Sequence, residues 1–321
     1  MPKLSDRWLF WGPTLIWAST WYVILFQLHS PVPVLNSVGW RFALAALLLA
    51  ALARWQGQSL RGLPWRAHAL MLATGIVQYS GNYVSVYEAE RHIPTGLVAV
   101  LFCLMVFGNA LSGRLFFGQA VTRRFLLAAA GGVAGVVLIF WPEIAATGAR
   151  PNAALGLGLG LLAVLAACIG NVLTLSLTSP PPGRPKADLP APAGGGRREP
   201  AGGAMSRRGL PLVPVLAWSM GYGAAFLLLT SWLSGAGLQM DWRPSYLLSL
   251  LYLSVFGSVL AFVLYFKLAQ AQGPARAALT GVVIPVIALA ISALLEGWVP
   301  TPQALAGMAL CLGGVWLANR R

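Results

Sequence analysis

The chain has 321 residues, 58% of them hydrophobic and 9% charged. Soluble domains run at about 25% charged residues, so the composition excludes a soluble globular fold. The formal charge of +14 does not point to nucleic acid, because the basic residues lie in short loops between apolar runs and no basic groove or aromatic RNA motif accompanies them.

A helix of about 20 residues crosses the hydrocarbon core of a bilayer. Runs of that kind occur at 8–27, 34–53, 67–87, 94–117, 124–141, 154–177, 210–233, 245–266, 274–295 and 301–318, which predicts ten spans. The start, MPKLSDRWLFWGPTL, has the charge of a signal peptide. Its apolar run is too long for a cleaved signal, and predicts an uncleaved first span. Trp8 and Trp11 suit an interfacial belt, whereas Trp17 and Trp21 lie deeper, where they can pack or stack on a substrate. In the second run Arg41 lies several residues inside the apolar stretch. A guanidinium there must pair, face water or snorkel to the outer interface, and its alternative use is as counter-charge to a substrate carboxylate.

The third run is the most polar. Gln78, Tyr79, Ser80, Asn82, Tyr83, Ser85 and Tyr87 follow one another closely, and the run ends in Glu88, Glu90, Arg91 and His92. Tyr79, Tyr83 and Tyr87 recur at i, i+4 and i+8, and so share one face of a regular helix. Such a surface has no use against lipid. It can bond neighbouring helices, or it can form the polar, aromatic wall of a substrate path. Glu88 and Glu90 are candidates for proton coupling near the outer interface. Asn109 and Asn171 are mid-span amides suited to helix–helix hydrogen bonds, and Asn171 is also a candidate of the path. Tyr252 and Tyr265 are rough counterparts of the third run's aromatics. Cys103, Cys168 and Cys311 sit mid-span without CxxC partners, and read as small apolar packing residues.

Residues 179–209, SPPPGRPKADLPAPAGGGRREPAGGAMSRRG, are rich in Pro, Gly, Ala and charge. They cannot bury a core and are expected to form a disordered cytoplasmic linker between the sixth and seventh spans. Orientation follows from the basic residues. Loops opposite the N-terminus hold only Arg91, Arg150 and Arg243, and the rest, apart from Arg41 and Arg276 in or at the edge of spans, lie on the N-terminal side. Both termini are therefore expected in the cytoplasm.

The two halves repeat. Tyr87-Glu88-Ala89 leads to His92-Ile93-Pro94-Thr95, and Lys267-Leu268-Ala269 leads to Gln272-Gly273-Pro274-Ala275, with one spacing from Ala to Pro. Pro33-Val34-Leu35 opens the second span and Pro214-Val215-Leu216 the seventh. The last span of each half carries close glycines, Gly131, Gly132 and Gly135, then Gly307, Gly313 and Gly314, which permit tight helix contact. Five is odd, so the second half must insert upside down. Inverted repeats of this kind mark alternating-access transporters with a site near the midplane.

Residues Tyr246–Leu317 carry an Ala-x-x-x-x-Pro entrance to the ninth span, a mid-helix Pro285, an acid after that span (Glu296) and a Gly-rich last span. With Trp11-Gly12, Gly39-Trp40-Arg41-Phe42 and Ile93-Pro94 in the first half, the chain resembles an EamA-type permease of the drug/metabolite transporter superfamily over nearly all its length except the linker. Two positions depart: Gln119 replaces the acid expected after the fourth span, and Met105-Val106-Phe107-Gly108 lacks the expected proline. The resemblance implies an all-α, polytopic membrane protein of two inverted five-helix repeats, 1–152 and 153–321. It also implies export of small metabolites such as amino acids, with efflux of drugs or lipophilic cations as the alternative. A structural membrane subunit would explain the hydropathy but neither the repeat nor the polar third run.

No Gly-Lys pair occurs, so there is no P-loop, and His29, His68 and His92 lie far apart. Neither enzyme activity, metal nor cofactor is expected. The expected partners are a small-molecule substrate and the lipid bilayer of the inner membrane, with no nucleic acid and homodimerisation left open. The proposed substrate path comprises Trp17, Trp21, Arg41, Gln78, Tyr79, Asn82, Tyr83, Asn171, Tyr252 and Tyr265.

Overall fold

The computed structural model describes residues 5–93, 95–147, 151–179, 209–295 and 301–319. Every regular element among them is helical. Helix α1 is Asp6–Leu28 and α2 is Val34–Trp55. Residues 65–90 form α3, in which a π-helical segment, Gly75–Gly81, joins Trp65–Thr74 to Asn82–Glu90. Helix α4 comprises Thr95–Cys103 and Met105–Phe117. Helix α5 is Arg123–Ile139, followed by a short helix, Trp141–Thr147. Helix α6 is Ala153–Thr178 and α7 is Leu212–Leu233. In α8 a second π-helical segment, Leu253–Leu260, joins Pro244–Tyr252 to Ala261–Gln272. Helix α9 is Pro274–Leu295 and α10 is Pro302–Asn319.

Seven helices among the described residues are long and apolar enough to cross a membrane: Asp6–Leu28, Val34–Trp55, Leu97–Phe117, Ala153–Thr178, Leu212–Leu233, Pro244–Gln272 and Pro274–Ile291. Outside this set fall α3, the third run's polar helix, α5 with 17 residues, and the shorter apolar helix Pro302–Ala318. Leu47, Leu115, Leu127, Leu229 and Leu248 are exposed on the outer faces, as helices bathed by lipid require.

The helices coincide with the runs read from the sequence to within a few residues, except that α8 continues past 266 to Gln272. It stops where Gly273 takes a φ of 93°, a backbone conformation that residues with a Cβ rarely adopt. The fourth run is not one unbroken helix. At Leu104 the N–H reaches back to Leu101 at 3.0 Å, three residues away, which tightens the turn and interrupts α4. Linker residues 180–208, Pro94 and Glu296 lie outside the described residues.

The most extensive helix pairs are α5 with α10 and α2 with α7. Backbones touch in the first pair: a Cβ at Gly135 would stand 2.5 Å from the N of Cys311 and 2.6 Å from the O of Gly307. Gly307 and Gly314 are similarly hemmed in, whereas a Cβ at Gly132 would meet the Val282 side chain of α9 at 3.0 Å and Cys311 O at 3.7 Å. Gly131 and Gly313 are not hemmed in, since a Cβ at either would meet nothing within 4 Å, so these two of the six glycines do not make the close contact expected of them.

Candidate functional site

A cavity of about 130 Å³ lies among α1, α2, α3, α4, α6, α8 and α9. Of the residues chosen from the sequence, Trp17, Arg41, Gln78, Asn82, Tyr83, Asn171 and Tyr265 line it. Tyr79 and Tyr252 are not in its wall. Tyr79 is fully buried, with ring centroids 5.1 Å from Phe42 and 5.3 Å from Phe262. Tyr252 bonds Ser19 at 2.6 Å and lies against Phe256. Trp21 belongs to α1, and its side chain lies outside the described residues.

The i, i+4 reading of the tyrosines fails because α3 is π-wound at Tyr79. The N–H of Asn82 bonds the carbonyl of Val77, five residues back, so the register shifts before Tyr83. Both rings touch Phe42, yet only Tyr83 reaches the cavity. The π-turn packs against α7, where Gly75 meets Ser219 and Gly223, and the Ser80 hydroxyl donates to Gly75 O at 3.1 Å or Gly223 O at 3.0 Å.

Arg41 does not snorkel. It is 1% exposed, because α8 crosses it: its Nε donates to Ser258 Oγ at 3.0 Å, and its own carbonyl accepts from Ser254 Oγ at 3.1 Å. Its guanidinium carbon lies 4.9 Å from the Tyr83 ring centroid and 5.5 Å from that of Phe42. A Cβ at Gly257 would come 3.1 Å from Arg41 Nη2, so the glycine makes the room for it. Nη1 is buried without a hydrogen-bond partner.

On the other side, the Tyr265 hydroxyl accepts from Asn109 Nδ2 and Asn171 Nδ2, each at 3.1 Å. Three helices, α4, α6 and α8, are joined there, as the bonding role of the mid-span amides anticipates. The Trp17 ring packs against Phe262 and Tyr265, both with centroids at 5.3 Å. The Asn82 Oδ1 and Gln78 Oε1 atoms are buried without partners, and Gln78 presses on Gly170 of α6.

The two candidate coupling acids differ. Glu88 pairs at 3.3 Å with Arg91, whose side chain is largely exposed. Both carboxylate oxygens of Glu90 are enclosed without a hydrogen-bond partner. Residues that the sequence reading does not single out include Ser258, which holds Arg41, and Thr20, Phe262 and Thr280 in the cavity wall. Gly257 with Ser254 and Ser258 was the available signal, since small and hydroxyl residues together in an apolar run mark a close polar crossing.

A family model described as "EamA-like transporter family" matches residues 8–141 and 201–320. The chain is 26% identical to "Protein PecM" of Dickeya dadantii (strain 3937), over 96% of this chain and 88% of that protein. It is 24% identical to "Uncharacterized inner membrane transporter YedA" of Escherichia coli (strain K12), over 88% of this chain and 80% of that protein. A crystal structure superposes with a TM-score of 0.72 at 16% identity, over 98% of this chain and 96% of that chain, which shows a shared fold.

Proposed function

The chain belongs to the EamA-like transporter family, and from that premise we propose that it is a secondary transporter exporting small metabolites such as amino acids by alternating access. The observation that carries this is the shared cavity. Trp17, Arg41, Asn82 and Tyr83 come from the first half and Asn171, Phe262, Tyr265 and Pro285 from the second, so movement of one half against the other opens the space to either side.

Ten spans in two inverted repeats, 1–152 and 153–321, fit this mechanism. The pairings α2 with α7 and α5 with α10 join corresponding helices of the two halves. The π-turns of α3 and α8 also occupy corresponding helices. The excess of Lys and Arg on the N-terminal side supports a cytoplasmic location for both termini. With a relative named an inner membrane transporter, an inner-membrane location follows. Coupling to protons, where present, falls to the enclosed Glu90 rather than to the ion-paired Glu88. Efflux of a lipophilic cation would use the faces of Trp17 and Tyr83, but the Arg41 guanidinium already lies against Tyr83.

Purified protein in liposomes loaded with unlabelled amino acids is the test. Labelled amino acids should enter by counterflow without nucleotide, and Glu90→Gln should remove any dependence on a pH gradient while Glu88→Gln leaves it. Transport that strictly required ATP would defeat the proposal.

A further inference from the structure

We infer that the cavity selects substrates bearing a carboxylate, which Arg41 receives, together with a hydrogen-bond donor that Asn82 receives. The inference rests on reading this cavity as the substrate site, and gives that site its chemistry. A guanidinium at 1% exposure is removed from water. Ion pairs among the described residues are Arg91–Glu88 and Arg243–Asp241, and neither involves Arg41. Its fixed contacts are Ser258 on Nε, the Tyr83 and Phe42 rings and the neutral Tyr87 hydroxyl, and none of these brings a compensating negative charge. Nη1 still lacks a partner.

Among the described residues no aspartate or glutamate lines the cavity, and Arg41 is the one described residue of its wall that carries a formal charge. A cationic ligand would meet like charge in a medium that screens poorly. A neutral ligand would leave the guanidinium uncompensated. An anion satisfies it, and a carboxylate matches the planar fork of arginine. The second requirement comes from Asn82, 5% exposed, whose Oδ1 has no partner and accepts only from a donor. Trp17, Phe262 and Tyr265 supply aromatic faces to the wall. An acceptor, a cation and aromatic faces around one small space suit a compound with a carboxylate and an ammonium or hydroxyl on a compact body.

The test uses the purified full chain and compounds matched in size. L-phenylalanine, 3-phenylpropionate and L-phenylalaninamide keep one ring while changing the polar groups, and the alanine- and tryptophan-sized acids with their amides repeat the comparison. Affinity is read from ligand-induced thermal shift in detergent, and transport from counterflow in liposomes. Each acid should bind at least about tenfold tighter than its amide, the ratio expected from one charge-assisted bond. The amino acid should bind tighter than 3-phenylpropionate, and Asn82→Ala should erase that second difference. Arg41→Gln should bring the acid-to-amide ratio near one, with Arg41→Lys retaining part of it. If Arg41→Gln does not fold, the wild-type ratio decides.

Amides binding as well as their acids in the wild type overturns the inference, as does an unchanged ratio in Arg41→Gln or no binding by any acid. The two readings separate cleanly. Acid-selective binding without counterflow removes the transport reading and leaves this one. Counterflow of amides or cationic dyes equal to that of acids does the reverse.

Discussion

Trp17 donates from its indole N–H to the carbonyl oxygen of Gly257 at 3.1 Å. That bond exists because α8 is π-wound: the N–H of Ala261 reaches Phe256, five residues back, and so does not take the Gly257 carbonyl. A wide turn thus presents a backbone acceptor, and Trp17, a cavity-wall side chain of the other half, uses it. Trp17→Phe keeps most of the ring contact and removes the donor. Loss of about 1 kcal/mol is expected, the net worth of such a bond, together with weaker substrate binding. Thermal melting in detergent and counterflow check it, and a variant as stable and active as wild type would show that the bond contributes nothing.

The glycine contacts between α5 and α10 give a paired comparison. Alanine at Gly135 would drive a methyl into the backbone of Cys311 and Gly307, whereas alanine at Gly131 enters open space. Gly135→Ala is expected to cost about 1–3 kcal/mol through forced separation of the helices. Gly131→Ala should be neutral, or stabilising by about 0.5–1 kcal/mol through helix propensity. Melting curves of the two variants decide, and equal effects would deny the close contact.

Hydropathy located the helices because each run must fill a bilayer, and length with composition is enough for that. The residues around the cavity were legible to the extent that polarity inside an apolar run is costly and so carries information: Arg41, Asn82, Asn171 and Tyr265 stand out for this reason. Spacing was less informative. The rule that placed Tyr79 beside Tyr83 assumes 3.6 residues per turn, and the π-turn at Gly75–Gly81 breaks it. Nothing in the single sequence distinguishes that turn from regular helix, although Gly75 and Gly81 at its ends are weak helix formers. The burial of Arg41 is not legible in the sequence for a related reason. Distance from the N-terminal end of α2 leaves snorkelling open, but Ser254 and Ser258 of α8, more than two hundred residues later, close over the side chain.

Between α7 and α8 a loop is held by one acid, which also reaches Ser30 just before α2. Asp241 accepts from Arg243 N at 2.9 Å, Arg243 Nε at 2.8 Å and Ser30 Oγ at 2.8 Å. The hydrogen bonds from the Arg243 side chain, then from its backbone, hold the Asp241 carboxyl well below the usual carboxylate range. A lowered folded value means that the carboxylate's contribution is present above the ordinary value near pH 4 and fades as the pH falls below it. Amide exchange across residues 234–243, corrected for intrinsic rates, should therefore rise between pH 6 and pH 3. Asp241→Asn should exchange fast at both values. Identical protection of wild type and variant at pH 6 would remove the acid from any role in holding the loop.

Tyr79 and Tyr83, four residues apart, should respond to mutation in opposite ways. Tyr79 is enclosed between Phe42 and Phe262, and its hydroxyl is buried with no hydrogen-bond partner. An unpaired buried hydroxyl is a cost, so Tyr79→Phe should leave stability unchanged or raise it. Tyr79→Ala empties a packed site and should cost about 3–5 kcal/mol. Tyr83 is only partly enclosed and faces the cavity beside Arg41, so Tyr83→Ala removes fewer packed contacts and frees the guanidinium of its aromatic neighbour. Transport should fall more than melting temperature does. Measuring both properties for all three variants separates packing from binding. If Tyr79→Phe lost transport at full stability, its hydroxyl would be contacting substrate in a conformation other than this one, and the wall of the path would have to be redrawn to include it.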